Sequence, residues 1–159
     1  MPIYAYFFPV GKLWIEEQNN KIISLGCEKE QLEETEEKET PLIKQVRDEL
    51  NEYFAKTRTV FTFPIEIKGP PFYKRVWEEM VHIPYGKTMT YQDLAVKLQT
   101  KGIRAIGGAC KHNKLMLVIP CHRVIGAKGN LTGFYGGLAM KEQLLNLENN
   151  HDFISRKHE

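Results

Sequence analysis

The sequence Gly69-Pro70-Pro71 constrains the fold more than any other short segment, because it separates two halves with different patterns. Two prolines after a glycine end regular structure, since proline lacks a backbone N–H and fixes its own φ. Short strand patterns precede this segment, and apolar residues at helical spacing follow it. We therefore expect an α/β domain over 1–69 and a mainly helical, all-α domain over 70–150, followed by a polar tail over 151–159.

The first half shows the pattern of a small sheet with one helix. IYAYFFP and KLWIEE are typical of strands, and Asn19-Asn20 predicts a hairpin turn into KIISLGC. The charged run over 28–39 is expected to be a solvated loop or a frayed helix. Thr40 can cap a helix with Pro41 at its first position, and VFTFPIEIK then predicts another strand. The apolar side of that helix is expected to comprise Leu42, Val46, Leu50, Tyr53 and Phe54.

The second half shows the pattern of a helix-turn-helix. Thr90 and Asp93 resemble a capping box, and a Thr-Lys-Gly turn over 100–102 separates two short helical patterns. Apolar spacing on the first helix is shared by Tyr91, Leu94, Ala95 and Leu98. On the second helix the inward positions are expected to be Ile103, Ile106, Gly107 and Cys110, and the outward positions Arg104, Ala105, Gly108 and Lys111.

The second of these helices contains two consecutive glycines. Each costs about 1 kcal/mol relative to alanine in a helix, so the pair requires close packing or close approach by a ligand. Gly107 suits helix packing and Gly108 suits a ligand. Taken alone, packing is the better explanation of the segment. An outer face of small residues with Arg104 near its start could nevertheless enter a groove of DNA.

Charge is distributed unevenly between the halves. Residues 1–70 carry 9 Lys and Arg against 13 Asp and Glu, whereas residues 71–159 carry 13 against 7. The second half is therefore the one that could meet a polyanion. The N-terminal sequence MPIYAYFFPVGKLWIEE carries charges within its apolar run, so we expect neither a signal peptide nor a membrane span. We expect a cytoplasmic protein that associates with the nucleoid, or a nuclear protein if the source is a eukaryote.

The three cysteines favour free thiols over a disulfide framework. Cys27, Cys110 and Cys121 are odd in number and form no CxxC pair, which also argues against a zinc site. Cys121 lies in VIPCHRVIG, next to His122. A buried cysteine is usually a small apolar residue, but a neighbouring histidine can lower the pKa of a thiol and favour the reactive thiolate.

A histidine that acts as a base also needs a group that orients it. In a regular strand Cys121 and His122 would point to opposite faces, so their cooperation requires a bend or an intervening water molecule. Glu142 and Glu148 lie on the helix pattern LAMKEQLLNLE, which should be largely buried. The spacing alone does not select one of these two acids.

The run from IPYGKTMTYQDLA through RAIGGACKHN to VIPCHRVIG and TGFYGGLAMKEQLLNLE resembles the O6-alkylguanine-DNA alkyltransferases. The resemblance covers about residues 70–148, and the first 69 residues resemble the family's ribonuclease-H-like domain more loosely. It implies a direct-reversal repair protein that binds double-stranded DNA containing O6-alkylguanine through the minor groove. The alkyl group would pass irreversibly to the protein's own cysteine, in a monomer without cofactor. Members of the family sometimes carry a structural zinc in the first domain, but Cys27 is the only cysteine there and the first 70 residues contain no histidine, so we expect no metal.

The resemblance also implies roles for individual residues. Cys121 would be the nucleophile, His122 the base acting through water, and Glu148 the group that orients His122. Arg104 would replace the extruded base in the stack, beside DNA contacts from Thr90, Ala105, Gly108 and Lys111. Tyr91 would donate a proton to the departing guanine. The hinge and substrate pocket would comprise Asn113, Val124, Tyr135 and Gly136, with Arg123 structural.

Two features depart from the family, and two other functions compete. Phe134 stands where many members have tyrosine, and Tyr135 where a small residue is common, so the contact to the guanine oxygen must differ.

One alternative is a non-enzymatic alkylguanine-binding protein that recruits other repair factors. The cysteine is replaced in such proteins, so Cys121 argues against it. The second, a thiol hydrolase, would need an oxyanion hole and would leave the Gly-Gly helix unexplained.

Overall fold

A computed structural model describes residues 1–29, 35–129, 134 and 136–149. The chain divides into two compact units, Met1–Lys68 and Gly69–Glu159, at the first residue of the Gly-Pro-Pro sequence. The predicted tail over 151–159 lies outside the described residues. Among the helices of the described part, none combines the length and the apolar character needed to cross a membrane.

A four-stranded sheet forms one layer of the first unit. Its strands are β1 (Pro2–Phe8), β2 (Gly11–Gln18), β3 (Lys21–Gly26) and β4 (Glu36–Glu37), in the order β3-β2-β1-β4. The first three are antiparallel, and the predicted turn between β2 and β3 has Asn19 and Asn20 at φ of 52° and 62°. Asparagine tolerates this left-handed conformation. Because β4 pairs in parallel with β1, the loop or frayed helix predicted over 28–39 is wrong at those two residues.

Helix α1 (Pro41–Phe54) begins as the sequence predicts. The Thr40 hydroxyl accepts a hydrogen bond from the Ile43 backbone N–H at 3.1 Å, and Pro41 occupies the first turn. Leu42 and Phe54 are only half-buried. The buried side of the helix instead consists of Ile43, Val46, Glu49, Leu50 and Tyr53, so it contains a carboxylate.

The strand predicted over 60–68 is wrong. The backbone N–H and hydroxyl of Thr62 both donate to the buried carboxylate of α1, each at 2.7 Å. Pro64 has no N–H to donate. What remains is a single bridge to β3, in which the Ile22 N–H donates to the Pro64 carbonyl at 2.9 Å and the Glu66 N–H donates to the Ile22 carbonyl at 3.0 Å.

The second unit is mainly helical, as predicted. Its elements are α2 (Pro71–Met80), β5 (Met89–Thr90), α3 (Tyr91–Leu98), α4 (Ile103–Lys111), β6 (Val124–Ile125) and α5 (Leu138–Asn149), with β5 and β6 paired in parallel. Helices α3 and α4 form the predicted helix-turn-helix. Gln99, at φ of 55°, ends α3, and all four predicted core positions of α3 are buried.

Helix α5, expected to be largely buried, is buried along one face only. That face consists of Lys141, Leu144, Leu145 and Glu148, whereas Leu138 is 52% exposed. These four positions follow the i, i+3, i+4, i+7 spacing of one helix face, and two of them are charged. The expectation of a buried helix was based on its apolar residues, so it did not include Lys141.

Candidate functional site

The segment that carries the candidate nucleophile is a tight turn. Residues Cys121–Arg123 form a 3-10 turn, in which the Cys121 N–H donates to the Ile119 carbonyl at 2.8 Å. Among the described residues, no regular strand leads to the thiol. Met116 and Ile119 make only an isolated bridge, and Leu117 between them has φ of 75°. The chain is therefore bent, not extended, at Cys121 and His122.

The Cys121 sulfur is enclosed by polar and sulfur-containing side chains. The Asn113 amide donates to it at 3.2 Å and to the Ile119 carbonyl at 2.8 Å, while the Asn113 oxygen accepts the Leu115 N–H at 2.9 Å. Cys121 donates to the Met80 sulfur at 3.5 Å. Asn113 therefore fixes both the chain after α4 and the thiol itself, which is the hinge position predicted for it.

Burial keeps the Cys121 thiol protonated. The residue is 1% exposed, and burial raises the pKa of its thiol well above the ordinary value, reinforced by a hydrogen bond with Cys110. Asn113 and Lys141 oppose this shift without reversing it. The expectation that His122 lowers the pKa of the thiol is therefore wrong for the resting protein, because desolvation outweighs the neighbouring groups.

His122 belongs to a buried ionic network. Its Nε2 lies 2.6 Å from Glu148 Oε2. Arg123 donates to both carboxylate oxygens, at 2.8 and 3.0 Å, and to the Ile83 carbonyl at 2.7 Å. Burial alone would raise the pKa of Glu148, but His122 and Arg123 outweigh it and hold that pKa well below its usual range. No hydrogen bond of the described residues joins Glu142 to His122, so the structure resolves the choice that the spacing left open.

The imidazole of His122 is set up to accept a proton. Burial lowers the pKa of His122, against the opposing effect of Glu148, so the ring is neutral at physiological pH. Donation from Nε2 to the carboxylate leaves the lone pair on Nδ1. That buried Nδ1 has no hydrogen-bond partner within the described part of the chain. Phe134 packs edge-on against the ring at 6.5 Å between centroids.

Tyr91 and Thr90 lie at the start of α3. The Tyr91 side chain is 8% exposed and hydrogen-bonded to Cys110, which is itself hydrogen-bonded to Cys121. The Cys110 thiol therefore links Tyr91 to the candidate nucleophile through two hydrogen bonds. Thr90, predicted as a DNA contact, accepts the Asp93 N–H at 3.0 Å and caps the helix.

Helix α4 carries the predicted DNA-facing residues. Arg104, Ala105 and Lys111 are exposed, as predicted, whereas Ile103, predicted inward, is 40% exposed. Trp77 Nε1 donates to the Ala109 carbonyl at 2.8 Å and fixes α4 against α2.

The roles expected for the two glycines of α4 are reversed. A Cβ on Gly108 would meet the Tyr73 hydroxyl oxygen at 2.7 Å. A Cβ on Gly107 would have nothing within 4 Å among the described residues beyond its own helix backbone. Packing against Tyr73 therefore accounts for Gly108, and its assignment as a DNA contact stays a prediction. Gly107 is the position with open space.

The remaining pocket residues have structural partners. The Val124 carbonyl, expected near the base edge, accepts a hydrogen bond from Lys141 Nζ at 2.5 Å. A Cβ on Gly136 would lie 2.5 Å from the Met140 sulfur, so a side chain at this position would require Met140 to move. Tyr135 lies outside the described residues.

Lys141 is the residue that sequence reasoning missed. It is fully buried, and burial lowers its pKa to about 8. Its spacing from Glu148 on α5 could have indicated it. Within the described ranges, no group of three or more His, Cys, Asp or Glu side chains is arranged to hold a metal ion.

Two family models match the chain. Residues 3–67 match the ribonuclease-like domain of 6-O-methylguanine DNA methyltransferase, and residues 71–150 match its DNA binding domain. The predicted fold class, a ribonuclease-like α/β domain followed by a helical domain, is confirmed.

Relatives and solved structures agree with these matches. The chain is 40% identical over 149 residues to the constitutive methylated-DNA–protein-cysteine methyltransferase of Bacillus subtilis, covering 88% of this chain and 90% of that protein. A methylated-DNA–protein-cysteine methyltransferase of Haemophilus influenzae is 36% identical, and the match covers 91% of this chain and 85% of that protein. The crystal structure of Mycobacterium tuberculosis OGT in complex with DNA superposes with a TM-score of 0.88 at 31% identity, covering 98% of each chain.

Proposed function

The chain belongs to the 6-O-methylguanine DNA methyltransferase family, and we propose that it moves the alkyl group of an O6-alkylguanine in duplex DNA onto Cys121. The observation that supports Cys121 as the acceptor of the alkyl group is the turn at Cys121–Arg123. In that turn the buried Cys121 directly precedes His122, whose ring is neutral, hydrogen-bonded to Glu148 and without a hydrogen-bond partner at Nδ1 among the described residues.

Access to the lesion would be provided by α4. Arg104 and Lys111 are exposed on this helix, and Gly107 offers open space. Helices with small residues can approach the minor groove closely, and Arg104 would fill the space left by an extruded base. The lesion would then reach Cys121 outside the stack. We propose that the protein does this as a monomer.

The chemical step would be a displacement at the alkyl carbon. His122 Nδ1 would accept the Cys121 proton through a water molecule, and Glu148 and Arg123 would stabilise the resulting imidazolium. The thiolate would then form a bond to the alkyl carbon as the bond between that carbon and the guanine oxygen breaks. The electron pair leaves with guanine. Tyr91 would supply a proton to the departing base, which reduces its developing charge.

The thioether product has no leaving group that would regenerate the thiol, so each molecule would act once. Intact-protein mass measurement after incubation with duplex DNA containing one O6-methylguanine tests this. We expect a gain of one methyl group per chain, mapped to Cys121 and never exceeded. Cys121→Ala should take up none and still bind DNA. Tight, salt-sensitive binding by the wild type without a change in mass would instead indicate a damage-recognition protein.

Arg104→Ala separates extrusion from chemistry. Because Arg104 lies outside the Cys121 network, transfer from duplex DNA should fall by more than about 10-fold while uptake from free O6-benzylguanine base stays near wild type. Lys97→Ala, an exposed basic residue on α3 next to Glu79, is the matched control. Equal losses with both substrates would exclude the proposed role of Arg104.

Glu148→Gln tests the base. Without the carboxylate His122 is a weaker proton acceptor, so methyl uptake should slow by about 100-fold, the usual range for one acid–base group. Glu142→Gln, on the same helix, should be unaffected. Uptake by Glu148→Gln at the wild-type rate from pH 6 to 9 would exclude the proposed relay.

A further inference from the structure

Three sulfur atoms from three different elements meet in the core of the second unit. The Cys121 sulfur lies 3.5 Å from the Met80 sulfur at the end of α2, and its thiol is hydrogen-bonded to that of Cys110 in the last turn of α4. Each of the three residues is at most 1% exposed. The displacement proposed above uses only one of these sulfurs, which leaves the other two without a role.

The chemistry of this sulfur cluster (Met80, Cys110 and Cys121) matches a soft cation. Thiolate and thioether ligands suit monovalent copper, whereas hard divalent ions such as magnesium and calcium prefer oxygen ligands. With metal–sulfur bonds of about 2.3 Å, as for zinc thiolates, a trigonal site places its sulfurs about 4 Å apart. The 3.5 Å between Cys121 and Met80 is therefore within a side-chain adjustment of that geometry.

A buried basic side chain, Lys141, lies near the cluster and could balance its charge once a cation is bound. Lys141 interacts electrostatically with both cysteines and stabilises their thiolates. Two thiolates and one monovalent cation carry a net charge of −1, which the Lys141 ammonium neutralises. Such compensation is what a charged group needs in an apolar interior.

We propose that Met80, Cys110 and Cys121 form a binding site for Cu(I). On binding, both thiols lose their protons to solvent, two thiolate–copper bonds and one thioether–copper bond form, and no electron is transferred. The site goes beyond the proposed function. Its consequence for repair rests on that function, because a Cys121 sulfur bonded to copper cannot attack an alkyl carbon.

Anaerobic titration of Cu(I) against a chromophoric Cu(I) chelator tests the site without DNA. The wild-type chain should withdraw one equivalent, with an ultraviolet thiolate-to-copper charge-transfer band. Cys110→Ser should bind at least about 100-fold more weakly and Met80→Leu about 10-fold more weakly, since each removes a ligand. Cys27→Ser, which removes the cysteine of the first unit, is the matched control and should bind like wild type.

Circular dichroism melting establishes that each variant is folded. Should Cys110→Ser fail to fold, Cys110→Ala and Met80→Leu carry the comparison. Wild-type affinity in folded Cys110 and Met80 variants would overturn the proposal, because it would indicate binding by a single cysteine. X-ray absorption should show three sulfur neighbours at one shell distance, and one sulfur with nitrogen or oxygen ligands would also overturn it.

Methyl uptake by copper-loaded and copper-free protein then separates the two proposals. Loaded protein should take up no methyl group, and removal of copper by the chelator should restore uptake. If copper binds as described but the copper-free protein also fails to take up methyl, the proposed function fails and the copper site stands. If copper-loaded protein takes up methyl at the normal rate, the sulfur of Cys121 is not a ligand and the site is wrong.

Discussion

At the scale of single residues, Glu148 is the side chain on which most of the buried polar network depends. It accepts hydrogen bonds from Arg123 and lies 2.6 Å from His122. Removing one member of a buried ion pair leaves the other charge without compensation. Glu148 therefore links the stability of the second unit to the readiness of His122 for proton transfer.

Glu148→Gln should make stability less dependent on pH. The folded pKa of Glu148 is depressed below its unfolded value of about 4.3, so its contribution is complete above that pH and is lost as the pH falls. At pH 7 the variant should be less stable than wild type by about 3 kcal/mol. That difference should shrink as the pH falls from 5 to 3, and urea unfolding at several pH values measures it. Glu142→Gln should stay within about 0.5 kcal/mol of wild type throughout. A difference that stays constant down to pH 3 would contradict this account.

Residue-level predictions succeeded where the physical signal is local. The Thr40 and Thr90 caps follow from residue type and position. The protonation state of Cys121 does not, because burial is set by elements distant in sequence. Lys141 was missed for a related reason: a pattern that counts only apolar residues passes over a buried ammonium.

At the scale of elements, α4 shows how packing decides the use of each glycine. Tyr73 stacks on His112 and packs at a tilt against Trp77, with its ring centroid 5.7 Å from each. Its hydroxyl is held against Gly108 by this arrangement. Sequence alone shows that two glycines are present, but which one faces a neighbouring helix depends on how α2 and α4 dock.

Gly107→Ala and Gly108→Ala should therefore differ in sign. Gly107→Ala should stabilise the protein by about 1 kcal/mol through helix propensity. Gly108→Ala should destabilise it by about 1–2 kcal/mol, because the new methyl group overpacks the Tyr73 contact. Thermal unfolding measures both. The double variant Tyr73→Phe/Gly108→Ala should recover most of the loss relative to Tyr73→Phe alone. A loss unchanged by removal of the hydroxyl would refute the packing explanation.

Other element predictions failed where tertiary contacts override pattern. The segment 60–68 has strand composition, yet its Thr62 donors are used by a helix carboxylate. The turn between β2 and β3 and the presence of the helices were predicted correctly, because their determinants lie within a few residues of each other. A parallel pairing as short as β4 with β1 has no such local signature.

At the scale of the whole molecule, the unequal charge of the two units bears on how the protein meets DNA. The acidic half, 1–70, and the basic half, 71–159, correspond closely to the two structural units. Binding to a polyanion releases counterions, so the logarithm of the association constant should fall linearly with the logarithm of the salt concentration. The division into two domain types was predictable from sequence because composition changes abruptly at the Gly-Pro-Pro sequence.

Lys111→Ala should lower the slope of this salt dependence by about 1, the change expected for one lost phosphate contact. Lys111 is exposed on α4. Lys21→Ala, an exposed lysine of the acidic unit, should leave the slope at its wild-type value. Fluorescence anisotropy with labelled duplex DNA over a range of salt concentrations makes the comparison. Equal slopes for Lys111→Ala and wild type would show that Lys111 makes no contact with a DNA phosphate.

The burial of Cys121 also bears on the working lifetime of a protein proposed to act once. A thiol that is 1% exposed and held protonated is a poor target for the electrophiles and oxidants of a cell. Molecules that have met no lesion would therefore keep their capacity, and the number still competent would decline with lesions encountered more than with age. Burial of the Cys121 sulfur would therefore protect unused molecules from chemical inactivation until they meet a lesion.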